Sequence, residues 1–249
     1  MKIQFYKYQG TGNDFIIIDD RREVLKNPSK DLVSFLCDRR FGIGADGLIL
    51  MQEHETFDFM MVYYNSDGNE SSMCGNGGRC IVKFAHDLGL ISSSTRFIAI
   101  DGPHDAHVLE NGNVALKMID VPEVEKGEDY YFLNTGSPHF VKFLNQGIQD
   151  FDLIQNAQNI RYNDRFKEKG TNVNFAQIND EKVLEVRTYE RGVEGETLSC
   201  GTGVTASALV YNFDQGDLEQ FVQEIKTPGG DLKVRFDKKE NAYSNIWLE

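Results

Sequence analysis

Cysteine is scarce in this sequence, and the placement of its four residues excludes more than their number does. Cys37, Cys74, Cys80 and Cys200 include no Cys-x-x-Cys pair, and no His-x-x-x-His arrangement completes a zinc site, so the spacing argues against a metal. The five histidines are scattered; His104 and His107 in GPHDAHV read as a polar turn and strand edge rather than a ligand pair. Long apolar runs are absent, which leaves nothing to span a bilayer. The amino-terminal MKIQFYKYQGTGNDFIIIDD is already strand-like and lacks the basic, apolar and small-residue order of a signal peptide. A cytoplasmic location is therefore expected, and in that reducing compartment a disulfide framework is not. Basic patches are missing too. A formal charge of -13 repels phosphate backbones and anionic lipids, so neither nucleic acid nor a membrane is an expected partner. Clusters such as DRRF are short and flanked by acids, and the acidic excess reads as solubility.

What the sequence does have is a core and a repeat. With 40% hydrophobic residues in 249, the chain can bury a sizeable interior as one long domain or two ordinary ones. FDFMMVYYN and, half a chain later, VLEVRTYERG both read as strands. Each leads into a polar, glycine-containing loop, SDGNESSM or VEGETLS, then into Cys-Gly-x-Gly, then into an apolar helical run, GRCIVKFAHDLGL or VTASALVYNF. Strand, loop, cysteine, Gly-x-Gly and helix thus recur, which predicts two related lobes.

Most of the remainder reads as strand and turn: KIQFYKYQ, FIIIDD, RFIAIDG, HVLENGNVALKMI with Asn-Gly at its turn, YFLNTG, NVNFAQIND and LKVRFD. One further helix is predicted over SKDLVSFLCDRR, with Ser29 as its cap and Leu32, Val33, Phe35 and Leu36 as its buried face. Cys37 lies inside that helix and Cys80 on the one after Cys74, and both read as core. VPEVEKGEDY, with Pro122 and its acids, reads as an exposed connector.

Cys74 and Cys200 are different, because each opens a helix. The first helical turn presents unpaired N–H groups and a partial positive charge, which favour a thiolate and also hold a carboxylate. Gly75, Gly77, Gly201 and Gly203 let the backbone approach a ligand closely. Two such helices offer two sulfurs and two sets of anion-binding N–H groups. That combination suits proton transfer at a carbon next to a carboxylate, one sulfur removing a proton and the other delivering one to the opposite face. The same residues also suit tight helix-on-strand packing, and the spacing alone leaves both readings open and names no substrate.

The order of YQGTGNDFIIID, RRFGIGADGLIL, NSDGNESSMCGNGGRC, NTGSPHFV, TNVNFAQI and YERGVEGETLSCGTG resembles the diaminopimelate epimerase family over nearly the whole chain. Proline racemases share the two-cysteine logic, but their first motif resembles Cys-Gly-His-Gly where this chain has Asn76; isomerases of the phenazine-pathway type lack the cysteine pair. The resemblance implies a cofactor-independent isomerase that interconverts LL- and meso-diaminopimelate on the bacterial route to lysine and peptidoglycan, and it favours a homodimer. It implies that Cys74 and Cys200 are the acid/base residues, with His139 and Glu190 adjusting their ionisation. Gly75, Asn76, Gly201 and Thr202 would hold the reacting α-carboxylate, and Asn13 with Glu190 the ammonium. Asn65, Asn172 and Arg191 would read the distal, non-reacting centre.

The chain departs from the pattern in four places. Ser137 precedes Pro138-His139 where many members have Asn, so Ser137 is a weaker candidate contact; Gly47 stands where some have glutamine; and Glu194 lengthens the loop before Cys200. After NIWL the family continues through another strand, so the last strand of the first lobe is expected to be missing or replaced. The expected fold is α/β, two pseudo-symmetric lobes that are each a mostly antiparallel curled sheet around a central helix, with the active site in the cleft between them. The first lobe is expected over residues 1–118 and the second over 119–239, with residues from about 240 to 249 returning to the first. Two other functions stay open on sequence: a different cofactor-independent amino-acid racemase, and a non-catalytic amino-acid-binding protein on the same scaffold.

Overall fold

The repeat is carried by the strand pairing. The structure, a computed structural model, describes residues 2–145, 147–215 and 220–249. It divides into two compact units, Met1–Leu116 and Lys117–Glu249. The first contains β1 (Tyr6–Gly10), β2 (Asn13–Asp19), α1 (Lys30–Cys37), β3 (Gly47–Gln52), β4 (Met60–Asn65), β5 (Glu70–Ser71), α2 (Gly75–Asp87), β6 (Ser94–Ala99), β7 (Gly102–Val108) and β8 (Val114–Lys117), which overruns the boundary by its last residue. The second contains β9 (Glu125–Lys126), β10 (Tyr131–Asn134), β11 (Pro138–Phe143), α3 (Leu153–Arg161), β12 (Asn172–Ile178), β13 (Leu184–Glu190), β14 (Gly195–Thr197), α4 (Gly201–Gln215), β15 (Gln220–Thr227), β16 (Gly230–Lys239) and β17 (Ala242–Leu248).

In the first unit β1 pairs antiparallel with β2, β2 parallel with β3, and β3 antiparallel with β4. β4 then pairs antiparallel with β5 and parallel with β6, and β6–β7 and β7–β8 are antiparallel. From β10 to β16–β17 the second unit repeats these pairings in the same order and sense. Parallel neighbours need a crossover, and the helices supply it: α1 and α3 in the first crossover of each unit, α2 and α4 in the second. α2 packs on β1, β2, β3 and β7, and α4 on β10 to β13 and β15 to β17, so each mostly antiparallel sheet is wrapped about its own helix. The expected α/β architecture is the one observed.

Burial explains why the strands read as unbroken apolar runs. Side chains alternate between faces, and both faces of β2 and β3 are covered. Ile16, Ile18, Leu48 and Leu50 join Val33 and Cys37 of α1 in one cluster, while Phe15 and Ile49 approach Gly77 of α2. In the second unit Phe140, Val173, Phe175 and Tyr189 pack on Leu153 and Ala157 of α3. Cys37 and Cys80 are core, as expected, and burial pushes their thiols up to about 11 and about 12.

Two local expectations need correction. Ser29 does cap α1, accepting from the Leu32 N–H at 3.3 Å, but the buried residues are Val33 and Cys37, one turn apart, whereas Leu32 and Phe35 are exposed. Only one side of this eight-residue helix meets the sheet. The second correction is α3, which the apolar pattern missed because only Leu153 and Ala157 are buried in an otherwise polar segment capped by Asp152. The connector is largely exposed as expected from Pro122 on, but Val121 is buried and bridges Tyr243, and Glu125 and Lys126 form β9. Among the described residues no helix is long and apolar enough to cross a membrane.

Candidate active site

In the first unit the site is built on the amino terminus of α2. Cys74 is the N-cap: its backbone is extended, its carbonyl accepts from Gly78 N–H at 2.8 Å, and its Sγ accepts from Gly77 N–H at 3.3 Å. A thiol takes the place usually held by a serine or aspartate oxygen. Asn13, the first residue of β2, brings Oδ1 to 3.7 Å from Cys74 Sγ and 3.5 Å from Asn76 Nδ2. Its own Nδ2 donates to Asp46 at 2.7 Å, which fixes the amide orientation. Asn13, Cys74, Gly75 and Asn76 are thus brought together. Asn65 ends β4 opposite Gly47, and its backbone groups close a turn with Gly68 and Asn69.

Beneath this turn lies a residue that the sequence reading passed over. Arg79 is buried, and its guanidinium donates to Gly75 O at 3.1 Å and to Asn76 Oδ1 at 3.0 Å. Among the described residues no carboxylate pairs with it. Burial lowers its pKa, opposed by the nearby Cys80 and Cys74 sulfurs. A lone cation set in an apolar helical run, GGRCIV, was the available signal.

In the second unit the counterpart is the start of α4. Cys200 is buried, its carbonyl accepts from Val204 N–H at 2.8 Å, and its Sγ lies 3.4 Å from Thr202 Oγ1. Thr202 Oγ1 is 2.9 Å from His139 Nε2, and His139 Nδ1 is 3.0 Å from Asn174 Nδ2. Asn174 also donates to Phe140 O and accepts from Thr188 Oγ1, both at 2.9 Å. His139 is completely buried, and burial pushes its pKa down to about 3, with the Asn174 hydrogen bond opposing and the Arg191 charge assisting. Asn174 and Thr188 were read only as strand residues.

Gly203 earns its place here by close approach: a Cβ on it would lie 2.3 Å from Asn174 Oδ1. At Gly77 the nearest atoms are the side-chain ends of Ile49, Met61 and Phe15, at 3.3 to 3.5 Å. The packing reading therefore suits the first motif's second glycine, and a polar cluster explains the second's.

Ser137, Asn172 and Arg191 form a separate cluster. Asn172 Nδ2 donates to Ser137 Oγ at 2.9 Å and to Pro138 O at 3.2 Å, while its Oδ1 accepts from Arg191 N–H at 2.8 Å. Arg191 donates to Lys169 O at 3.0 Å and to Ser137 Oγ at 3.4 Å. All these acceptors are neutral, and among the described residues no carboxylate is paired with Arg191. The extra loop residue Glu194 adopts a positive φ of 56° and is pinned by Arg161 and Tyr162, each at 3.0 Å.

Glu190 ends β13 beside Arg191, and burial raises its carboxyl pKa, opposed by the nearby Thr197 hydroxyl. A carboxyl raised on folding adds stability that is complete below its unfolded pKa and is lost as pH rises through the folded value. Glu190→Gln should therefore raise the Tm above neutral pH, with the gain vanishing below about pH 4, where the unfolded carboxyl is protonated. Thermal unfolding at the two extremes checks this; an equal gain at both would show that charge is not the cause.

Comparison with known proteins agrees with the sequence resemblance. A family model described as diaminopimelate epimerase matches residues 5–122 and 131–246. The diaminopimelate epimerase of Flavobacterium psychrophilum is 49% identical over 247 residues, covering 99% of this chain and 96% of that protein. The one from Aquifex aeolicus is 43% identical over 248 residues, covering 92% and 88%. Among solved structures, a PhzF-family phenazine biosynthesis protein from Bacillus anthracis matches with a TM-score of 0.79 at 16% identity, over 100% of this chain and 95% of that one. A probable proline racemase from Agrobacterium radiobacter K84 matches at 0.68 and 15% identity, over 99% and 89%. At such identities the structural likeness speaks for the fold alone.

Proposed function

The chain belongs to the diaminopimelate epimerase family, and on that premise we propose that it is an isomerase inverting one α-carbon of diaminopimelate, LL to meso and back, for lysine and peptidoglycan synthesis. The observation that carries the mechanism is that Cys74 and Cys200 stand at the same point of a repeated fold, each at the start of a helix wrapped by its own sheet. One sulfur takes the α-proton and the other returns a proton to the opposite face. The carbanion is stabilised by charge spread onto the α-carboxylate, which accepts from the N–H groups of Gly75, Asn76, Gly201 and Thr202.

Asn13 and Glu190 hold the reacting ammonium. Asn65, Asn172 and Arg191 read the distal centre, Ser137 bracing the last two; the unpaired Arg191 guanidinium suits a carboxylate. A substrate lacking the distal amino-acid group would leave these polar groups unpaired, which sets specificity. We further infer a cytoplasmic homodimer that needs no cofactor. Incubation of the purified protein with LL-diaminopimelate and chiral chromatography is the test. Meso product, with no turnover of proline, is expected; absence of the meso isomer, or equal turnover of a monocarboxylic amino acid, contradicts the reading.

Arg79 enters as a positioning residue. Its planar guanidinium spans Gly75 O and Asn76 Oδ1, which an ammonium cannot do. Arg79→Lys should therefore lower kcat/KM about tenfold, mainly through KM, while the reactivity of Cys200 toward alkylation stays as in the wild type. A loss confined to kcat would contradict the positioning role.

A further inference from the structure

Because the two units repeat the same pairings, each site position has a counterpart, and the counterparts diverge where α2 and α4 meet their sheets. In the first unit Phe15 lies opposite Gly47, and Ile49 opposite Tyr63. In the second, His139 lies opposite Asn172, and Asn174 opposite Thr188. His139, Asn174 and Thr188 thus occupy the places of Phe15, Ile49 and Tyr63. The first unit fills two of those places with Phe15 and Ile49 and the third with Tyr63, the Phe15 and Tyr63 rings meeting edge-on with centroids 5.9 Å apart. The fold itself therefore does not require an imidazole or an amide there. Burying an imidazole, an amide and a hydroxyl is costly unless each is hydrogen-bonded, and here each is.

The bonds from Asn174 to Thr202 have a fixed direction. The Phe140 carbonyl can only accept, so the end of Asn174 that faces it must be the amide nitrogen, and that same nitrogen faces His139 Nδ1. Nδ1 therefore accepts, the neutral ring carries its proton on Nε2, and Nε2–H donates to Thr202 Oγ1. Arg191, whose charge bears on the ring, opposes the doubly protonated form. Thr202 Oγ1 accepts from the ring and can offer its own hydroxyl proton to Cys200 Sγ, 3.4 Å away. Cys74 meets a mixed arrangement: the Gly77 N–H donates to its sulfur at 3.3 Å, while Asn13 turns an acceptor toward it. Asp46 engages the Asn13 amide nitrogen, so the group turned toward Cys74 is the acceptor Oδ1. A donor beside sulfur favours the thiolate and an acceptor favours the thiol.

We propose that Asn174, His139 and Thr202 form a one-way donor chain directed at the Cys200 sulfur, so that His139 works as a neutral donor rather than a base and the chain favours the Cys200 thiolate. The assignment rests on reading the two cysteines as the acid/base pair, and it makes Asn174 and Thr202 positioning residues for that pair.

Two measurements without substrate test this, so failure is separable from failure of the epimerase reading. Nitrogen NMR of isotope-labelled histidine, with His139 assigned through His139→Gln, should show protonated Nε2 and bare Nδ1 from about pH 5 to 9. A protonated Nδ1 in that range would overturn the chain. The second is alkylation by iodoacetamide, followed site by site through peptide mass mapping. Thr202→Val, close in shape but lacking the hydroxyl, should slow Cys200 alkylation at neutral pH by about tenfold and leave the Cys74 profile in place; Thr202→Ser should restore the Cys200 profile. A Cys200 profile indifferent to Thr202→Val would overturn the assignment.

Discussion

Cys74→Ala and Cys200→Ala should each lower epimerisation of LL-diaminopimelate by about a thousandfold or more, the upper part of the range for a positioned acid or base. Each variant keeps one sulfur, yet inversion needs a donor on one face and an acceptor on the other, so the remaining thiol cannot compensate. The double variant should be little worse than either single one, because residues acting as a unit are not additive. The fold should survive. Cys74 caps α2 through the Gly77 N–H, and losing a cap costs about 0.5 to 2 kcal/mol. Cys80→Ala supplies the contrast: its thiol is buried and held up at about 12, so turnover should persist while stability falls. Turnover assays with circular dichroism on the same samples check this. Near-normal activity in either single variant would remove that cysteine from the chemistry.

Arg191→Lys should reduce kcat/KM by about a hundredfold, from the loss of a two-pronged contact to the distal carboxylate. The guanidinium is preset for that task by Lys169 O and Ser137 Oγ, both neutral, so its charge remains available for a ligand. Gly170 makes the pose possible. It has a positive φ of 73°, and a Cβ there would stand 2.6 Å from Arg191 Cδ. Gly170→Ala should therefore give a weaker version of the same defect. In both variants the Cys74 and Cys200 alkylation profiles should be those of the wild type, which distinguishes lost recognition from lost chemistry. Unchanged kcat/KM in Arg191→Lys would take Arg191 out of substrate recognition.

The fold was legible because its strongest signals are local and repeated. Strand, loop, cysteine and helix recur with the same turn chemistry, and the pairings repeat with them. That repeat also contained what the apolar pattern missed. α3 is the counterpart of α1, and duplication alone calls for a helix between β11 and β12, although its sequence buries only two residues. Leu32 and Phe35 were placed inward because hydrophobicity does not say which side of a short helix meets the sheet.

The site was legible where residues are close in sequence, as in Cys74-Gly75-Asn76, and not where pairing assembles it. Asn174 and Thr188 looked like ordinary strand residues, and only the register showed that they support His139. Their signal was polarity at inward positions of strands covered on both faces. Arg79 was hidden by the opposite habit, since a charge on a helix is normally taken as solvated.

Isotope incorporation in deuterated water, read at early times separately in substrate and product, tests the central claim most directly. If one sulfur removes the proton and another returns one from solvent, the meso product should carry deuterium at the inverted carbon while recovered LL-diaminopimelate remains protiated, since the abstracting thiol returns the proton it took. Deuterium appearing equally in both pools from the outset, as a single shared base would produce, or inversion with no deuterium in the product, would contradict the two-cysteine account.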